Sequence, residues 1–558
     1  MTWSPESGTW PSIRTGDWAN NKAFTTGIPT HTLGKNCVTD YGADFTGVSN
    51  SATAINNALT NSSVGQYAYL PAGTYLITSA INIPSGKSLR GAGMTQTTIN
   101  HALSSTPINL GDAGSRRIST AKAITGSDKG STHVHVAGGT SGWAVGDMIA
   151  ITEVEDNTLV EKDGYNSCTW CGDENGHYVG QFVEITQIDS PSSNSTVTFT
   201  PPLWYTYDNS PIGQEYTLSA GAGAEEFKIY YTSGTAESQV GSISGDTTKG
   251  AWVRGVHVYY PRGGHIRFDY SHACTVTKCK LERARGYGSD KGYAVWCMDF
   301  NSDHYIYNNV MNWCRYGTNF EGGGVGCIVA YNYIRNVREG DEVPWLHAGV
   351  GFHGCHPAFV LIEGNMLPTV IADNTMGSNS HGMIFRNYVA RESMIDWSIT
   401  EGRQCIEEEI NSQYFSVVGN ILGFTDMTGV YEYNSCDENS VYRFGCNEPG
   451  GSTHNNNAYN TSYRHHNYDY VNEAIVNNGA DDTTLPDSLY LSSKPSWFGS
   501  LTWPPVVVEG PTVNDTPAKG FYDTGEWADE TGTEGDMHVN IRSPKMSTNP
   551  MKTIHRKH

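Results

Sequence analysis

Nowhere does the chain run for about 18 consecutive apolar residues, so no part of it is long enough to cross a bilayer as a helix. Charge is scarce, at 16% of 558 residues, and it sums to -22. Like charge therefore sets nucleic acid and acidic membrane surfaces against the protein as partners. Leu/Ala/Glu/Lys-rich periodic stretches, the mark of long amphipathic helices, are largely missing. Cysteine is sparse: twelve residues in so long a chain do not make a disulfide scaffold. The opening MTWSPESGTW lacks the basic and apolar regions of a signal peptide. We read the chain as the mature form of an exported, extracellular protein.

What is abundant is glycine (62), tyrosine (32) and tryptophan (14), with Thr, Val and Asn recurring from end to end, which suits strands and turns and implies a mostly-β fold. The charge is uneven. Residues 251–403 carry 14 Lys+Arg against 14 Asp+Glu, so the centre is neutral and the whole acidic excess lies outside it. Cys168 with Cys171 in CTWC, and Cys436 with Cys446, have the spacing of short-loop disulfides. A zinc reading of CTWC lacks a second ligand pair at similar spacing, with only His177 close downstream.

Six segments repeat in the middle of the chain: TVTKCKL at 275, YIYNNVM at 305, IVAYNYI at 328, LIEGNML at 361, MIFRNYV at 383 and SVVGNIL at 416. Their anchors are Cys279, Asn309, Asn332, Asn365, Asn387 and Asn420, separated by 30, 23, 33, 22 and 33 residues. Every position three before and two after an anchor is aliphatic. This is the pattern of a β-solenoid with loops of variable length, in which each coil buries the same slots. The asparagines form an expected ladder whose amides satisfy turn backbone groups. A helical or leucine-rich solenoid needs a helical stripe or leucines at fixed offsets, and neither is present. The expected fold is all-β, a right-handed parallel β-helix filled by its own side chains, with function on its outer face.

VTDYGADFTGVSNSATAINNAL (38–59) followed by YLPAGTYLITSAINIPSGKSLRGAGMTQTTI (69–99) resembles the opening of the pectate-lyase-like β-helix superfamily. That superfamily includes polygalacturonases, β-1,3-glucanases of this fold, pectate lyases, epimerases and phage tailspikes. The resemblance implies that SATAINNAL is a helical cap on the open end of the first coil; it says little about reaction. RGAGMTQT is a turn rather than a nucleotide loop, since Gln96 replaces the third glycine. The chain divides into an N-terminal extension (1–35), the capped start of the β-helix (36–139), an inserted antiparallel β-subdomain (140–245), central coils with the cleft (246–425), C-terminal loops and an ordered strap (426–512), and a tail (513–558).

Alternation along the repeated strand places Tyr307, Ala330, Glu363 and Phe385 in one outward row. A second row holds Asp303, Phe359, His381 and Tyr414, with Gly326 at the same level. Aromatic rings can stack on sugar faces, and hydrolysis of a glycosidic bond needs two carboxyl groups. Asp341, Glu342, Glu363, Asp373 and Asp396 are the central acids. Glu363 and Asp373 stand out because GVGFHGCHP and GSNSHG flank them, although a lone Asp in a turn is more often an Asx cap. His347, His353, His356 and His381 fall in a stretch without Lys or Arg, where histidines serve as proton carriers, ligands or packed polar groups. Ser380 beside His381 lacks the G-x-S-x-G elbow and is rejected as a nucleophile.

The expectation is a secreted polysaccharide-cleaving glycoside hydrolase. Asp373 and Glu363 are its candidate carboxyl pair, with His381 and Arg386 assisting. Trp345, His353, His356, Phe385, Trp397 and Tyr307 are candidate substrate contacts. No cofactor is required, and calcium held by Asp373 with a histidine is left open. The partner is a poly- or oligosaccharide, with no nucleic acid and no membrane. A lyase acting on a uronate glycan and a non-catalytic glycan-binding spike are the alternatives.

Overall fold

The computed structural model describes residues 16–525 apart from 117, 156–160, 162–163, 165–167, 169, 174, 191–193, 234–238, 289, 341–344, 396–401, 426, 434–439, 447–454 and 478–483. Three long sheets of 12, 14 and 11 strands run its length. Each coil adds one strand to each sheet. One coil, for example, supplies Tyr305–Tyr307, Val310–Cys314 and Thr318–Glu321, and the next supplies Ile328–Ala330, Tyr333–Glu339 and Val350–His353, paired parallel to the first throughout. This is a right-handed parallel β-helix, the hand that parallel crossovers take in nearly every sheet.

The repeat is the reason the coil closes. All twelve aliphatic positions of the six segments are buried in one continuous core. Between the two strands they flank, the residue before each anchor takes a left-handed conformation: Lys278, Asn308, Tyr331, Gly364, Arg386 and Gly419 have φ from 50° to 68°. The anchor side chain then points inward and stacks. The Asn332 backbone N–H and side-chain amide both donate to Asn365 Oδ1, at 2.9 and 3.0 Å, and Asn365 donates likewise to Asn387. Asn309, Asn387 and Asn420 repeat the pattern. Cys279 fits at one end because its thiol supplies the donor that the amide supplies elsewhere, to Val253 O at 3.5 Å.

The ladder also reaches Asn467, which the repeat does not reveal. Arg464 stands three residues before it and Asp469 two after, in slots that are aliphatic in every other coil. Here the coil ends: Arg464 lies over the Phe444 and Tyr459 rings at 4.8 and 5.0 Å, a polar residue closing an apolar core. At the other end the helix Ala52–Asn61 buries Ala52, Ile55, Ala58 and Leu59 on the first coil, which is the cap that the resemblance implied.

The inserted antiparallel unit is a closed six-stranded barrel of Lys122–Thr125, His133–Val136, Met148–Glu153, Val179–Asp189, Ser195–Thr200 and Ile212–Tyr216. It has its own core around Ile149, Val183 and Phe199. The chain rejoins the coil at Gly223–Glu225, which pairs parallel with Ser88–Gly91. The barrel leans on the coil through Trp204, whose ring fills the space above Gly326; a Cβ there would lie 2.1 Å from the indole nitrogen. A strap from Leu485 to Val507 covers the first sheet, with Phe498 buried against the Tyr331 ring.

Candidate active site

The third sheet, not the repeated first one, carries the cleft. Its hydrogen bonding aligns Asp269 with Met298, Met298 with Glu321, and Glu321 with His353. Phe352 aligns with Ala372 and Ala372 with Glu408, so Asp373 and Glu409, one residue further on, continue the row. A row two residues earlier runs Trp296, Asn319, Gly351, Ile371 and Glu407. These rows floor a cleft of about 800 Å³. One wall is Trp170, presented by the disulfide-bonded Cys168–Cys171 loop of the barrel insertion. Opposite stand Glu339, Trp345 and His347, on a short antiparallel pairing of Glu339 with Trp345.

Aromatic rings line that side continuously. Tyr293 stacks on Trp296 at 4.3 Å and on Tyr316 at 5.2 Å; Tyr316 meets His347 at 3.8 Å, and His347 stacks on Trp345 at 5.3 Å. Flat apolar rings beside polar groups suit the faces of sugar rings.

Two carboxyl groups differ sharply in surroundings. Glu321 is 3% exposed, and its Oε2 accepts from Trp296 Nε1 at 2.6 Å and Asn319 Nδ2 at 3.1 Å. Burial raises its pKa above the ordinary glutamate value, with His353, the Trp296 hydrogen bond and Arg315 only partly offsetting it. Asp373 Oδ2 instead holds His353 Nδ1 at 2.7 Å, while its Oδ1 accepts from Thr375 N at 3.0 Å. Burial opposes charge on His353, but Asp373 and Glu321 outweigh it and raise the imidazole to about 9. The pair is therefore an imidazolium and a carboxylate. Glu321 and Asp373 are two strand spacings apart along the sheet, about 9–10 Å between backbones.

The remaining groups are already engaged. Glu339 bonds Arg315 and, at 3.2 Å, His347 Nε2; burial works against its charge, but these partners outweigh it and hold its pKa low. Burial drives His347 down to about 4. Glu407 pairs with Arg443, and Glu409 Oε2 accepts from Asn374 N at 2.8 Å. Among the described residues no group of three or more His, Cys, Asp or Glu side chains converges on a metal position. Asp373 Oδ2 and His353 Nδ1 are bonded to each other.

Of the residues singled out in the sequence, Asp373, His347, His353 and Trp345 meet in this cleft. Glu363 does not join them. It lies on the first sheet, 1% exposed beneath the strap, where Tyr331 Oη donates to Oε1 at 2.7 Å and Leu489 N to Oε2 at 2.8 Å. Arg386 is beside it, donating to the carbonyls of Pro486, Val506 and Leu485 at 2.7, 3.1 and 3.2 Å. Both hold the strap. Tyr307 and Phe385 keep the outward row expected of them, but Trp497 and the strap cover it. His381 stacks between Phe359 (4.7 Å) and Tyr414 (5.3 Å) under the barrel's Tyr205, and His356 Nε2 shares a 2.7 Å hydrogen bond with Ser380. Trp397, Asp341, Glu342, Asp396 and Cys436 lie outside the described residues.

Burial pushes the Glu363 carboxyl up to about 7. Its contribution to stability is thus full below the ordinary glutamate pKa of about 4.3 and is lost as pH rises through about 7. Glu363→Gln is expected to keep the cleavage rate of the parent protein while flattening the fall in thermal midpoint between pH 5 and pH 8. A large loss of activity with an unchanged fold would contradict its structural role.

Glu321, Glu339, Glu407 and Glu409 escaped the sequence reading, as did Tyr293, Tyr316 and Trp170. The signal for the floor was there in NFEGG, GFHGC, IADN and CIEEE, four third-sheet strands with a polar group at the same place. It is hidden because these strands follow their anchors at unequal distances.

Fold and site define a parallel β-helix protein with an acidic, aromatic-walled cleft on its third sheet. Residues 36–136 match the family model described as Rhamnogalacturonase A/epimerase, pectate lyase-like, which bears out the resemblance over that segment. No curated protein sequence matches the chain. Among solved structures it is similar to the Gp54 tailspike of Acinetobacter baumannii bacteriophage AP22 in complex with A. baumannii capsular saccharide (11% identity, 74% of this chain and 69% of that one, TM-score 0.43). It is also similar to the mannuronan C-5 epimerase AlgE6 A-module of Azotobacter vinelandii (13%, 78% and 99%, 0.36). A third likeness is to the catalytic unit of the GH87 α-1,3-glucanase of Streptomyces thermodiastaticus (12%, 79% and 69%, 0.34). At this level such likenesses assign no reaction.

Proposed function

We propose that the protein is an extracellular glycoside hydrolase that cleaves a polysaccharide in the third-sheet cleft. Glu321 is the general acid and Asp373 the general base. The observation that carries this reading is the contrast between the two carboxyl groups: burial favours the protonated form of one, and an imidazolium partners the other, across one cleft. Such a contrast is how two carboxyl groups divide acid and base work. The glycan binding and processing named for the similar structures, and the disulfide at the cleft wall, agree with a polysaccharide partner outside the cell.

In the proposed reaction the sugar lies against Trp170 and Trp345, the half-buried rings of the cleft. Glu321 gives its proton to the leaving glycosidic oxygen as the C–O bond breaks. A water on the opposite face attacks the anomeric carbon and loses its proton to Asp373, which His353 holds in place. A separation of two strands, about 9–10 Å between backbones, leaves room for that water, as inversion requires. Proton NMR of the first product is expected to show the anomer opposite to that of the substrate. Retention would remove Asp373 from the role of base, and an unsaturated product absorbing in the ultraviolet would replace hydrolysis with elimination.

Two pH effects follow with the same sign. Cleavage is expected to fall on the alkaline side as Glu321 loses its proton. The stability contributed by the charged His353 is full below its ordinary pKa of about 6.5 and is lost as pH rises through about 9. Thermal melts from pH 6 to pH 10 are expected to show that loss in the parent protein and not in His353→Gln.

A further inference from the structure

The charge of the cleft limits what it can hold. Among the described residues six carboxyl groups line it: Asp290, Glu321, Glu339, Asp373, Glu407 and Glu409. Against them stand Arg315 and the imidazolium of His353, since burial keeps His347 neutral at ordinary pH. Each cation is already paired with one of those carboxylates. Arg315 is bonded to Glu339 and, through Nη1, to Tyr293 Oη at 2.6 Å; His353 is bonded to Asp373. Arg443, next in the floor row after Glu407 and 1% exposed, is paired with Glu407.

A polyuronate or sulfated glycan brings one or more negative charges on each repeating unit. A site for it needs cations in fork geometry whose donors are free to meet carboxylate or sulfate oxygens. This cleft offers carboxylates where those cations would have to be. In a low-dielectric cleft such repulsion is stronger and less screened than on an open surface. Hydroxyl groups of a neutral sugar find carboxylate acceptors and aromatic faces in the same place.

We propose that the cleft takes a glycan free of carboxylate and sulfate groups, a neutral or amino-bearing polymer, and excludes polyuronates. The proposal rests on the cleft being the glycan site of the hydrolase reading and names its substrate class.

The test uses the full chain at low ionic strength with three probes: polygalacturonate, a linear neutral β-glucan, and partly deacetylated chitin. The double variant Gln239→Lys/Asp290→Lys, which changes two residues at the cleft and neither carboxyl of the acid–base pair, is measured beside the parent. Polygalacturonate is expected to be neither retained nor cleaved by the parent, and to bind the double variant at least tenfold more tightly. Equal polygalacturonate affinity in the two proteins, weakened by added salt in both, would overturn the proposal. Retention of a neutral or amino glycan without new reducing ends would support the charge selection and sink the hydrolase reading. Cleavage of polygalacturonate that Glu321→Gln abolishes would do the reverse.

Discussion

Glu321→Gln is expected to lose glycan cleavage by about 10²–10⁴-fold at saturating substrate, with little change in KM. The substitution keeps the shape of the side chain, and the amide oxygen can still accept from Trp296 Nε1 and Asn319 Nδ2. What it removes is the proton for the leaving oxygen. Asp373→Asn is expected to lose a similar factor for a different reason, since it takes away the acceptor for the proton of water and the partner that charges His353. Because acid and base act in one step, the double variant should be far less impaired than the product of the two losses. A substrate with a good leaving group separates the roles: it rescues Glu321→Gln, where protonation is no longer needed, and leaves Asp373→Asn slow. Full activity in both variants would end the assignment, and rescue of Asp373→Asn alone would exchange the roles.

The largest expected effect on stability lies inside the coil. Asn365→Leu is expected to destabilise the protein by about 3–5 kcal/mol, measured as a shift in denaturant midpoint at unchanged slope. Asn365 Oδ1 accepts from both the backbone and the side chain of Asn332, and its Nδ2 donates to Val329 O at 2.9 Å and Asn387 Oδ1 at 3.0 Å. Leucine fills the space and satisfies none of these. Each buried group left without a partner costs about 1–3 kcal/mol. Cys279→Ala at the end of the ladder is the comparison: it forfeits one thiol contact to Val253 O and one to Thr277 O, and the weak hydrogen bond of its sulfur with the Val256 backbone amide, with no side-chain amide involved. Its loss should be clearly smaller. Equal losses at the two positions would mean that the ladder contributes nothing beyond ordinary packing.

The same contrast separates what could be read from the sequence. The coil was legible because it makes the same demand on every turn. An aliphatic side chain three before and two after the anchor fills the corner, and the anchor satisfies its backbone, so the demand is written as a repeat. It stopped being legible at Asn467, where Arg464 and Asp469 occupy the aliphatic slots to close the end of the core. Asp373, His353 and Trp345 were found because they crowd into a polar stretch near the repeat.

Their partners were not found, and neither was the true position of Glu363. Glu321, His353, Asp373 and Glu409 stand 12, 21, 8 and 22 residues beyond their ladder anchors, because the turn between second and third sheets varies freely in length. Only interstrand hydrogen bonding brings them into one row. Glu363 and Arg386 looked exposed because alternation places them outward, which is correct; a strap about 100 residues away in sequence then covers them. The coil and its ladder could be read from the chain alone, since they follow from local periodicity and the need to satisfy buried backbone, while the cap was implied by the family resemblance. Tertiary structure alone decided which outer face is open and which acids share it, since that depends on long-range contacts that leave no period in the chain.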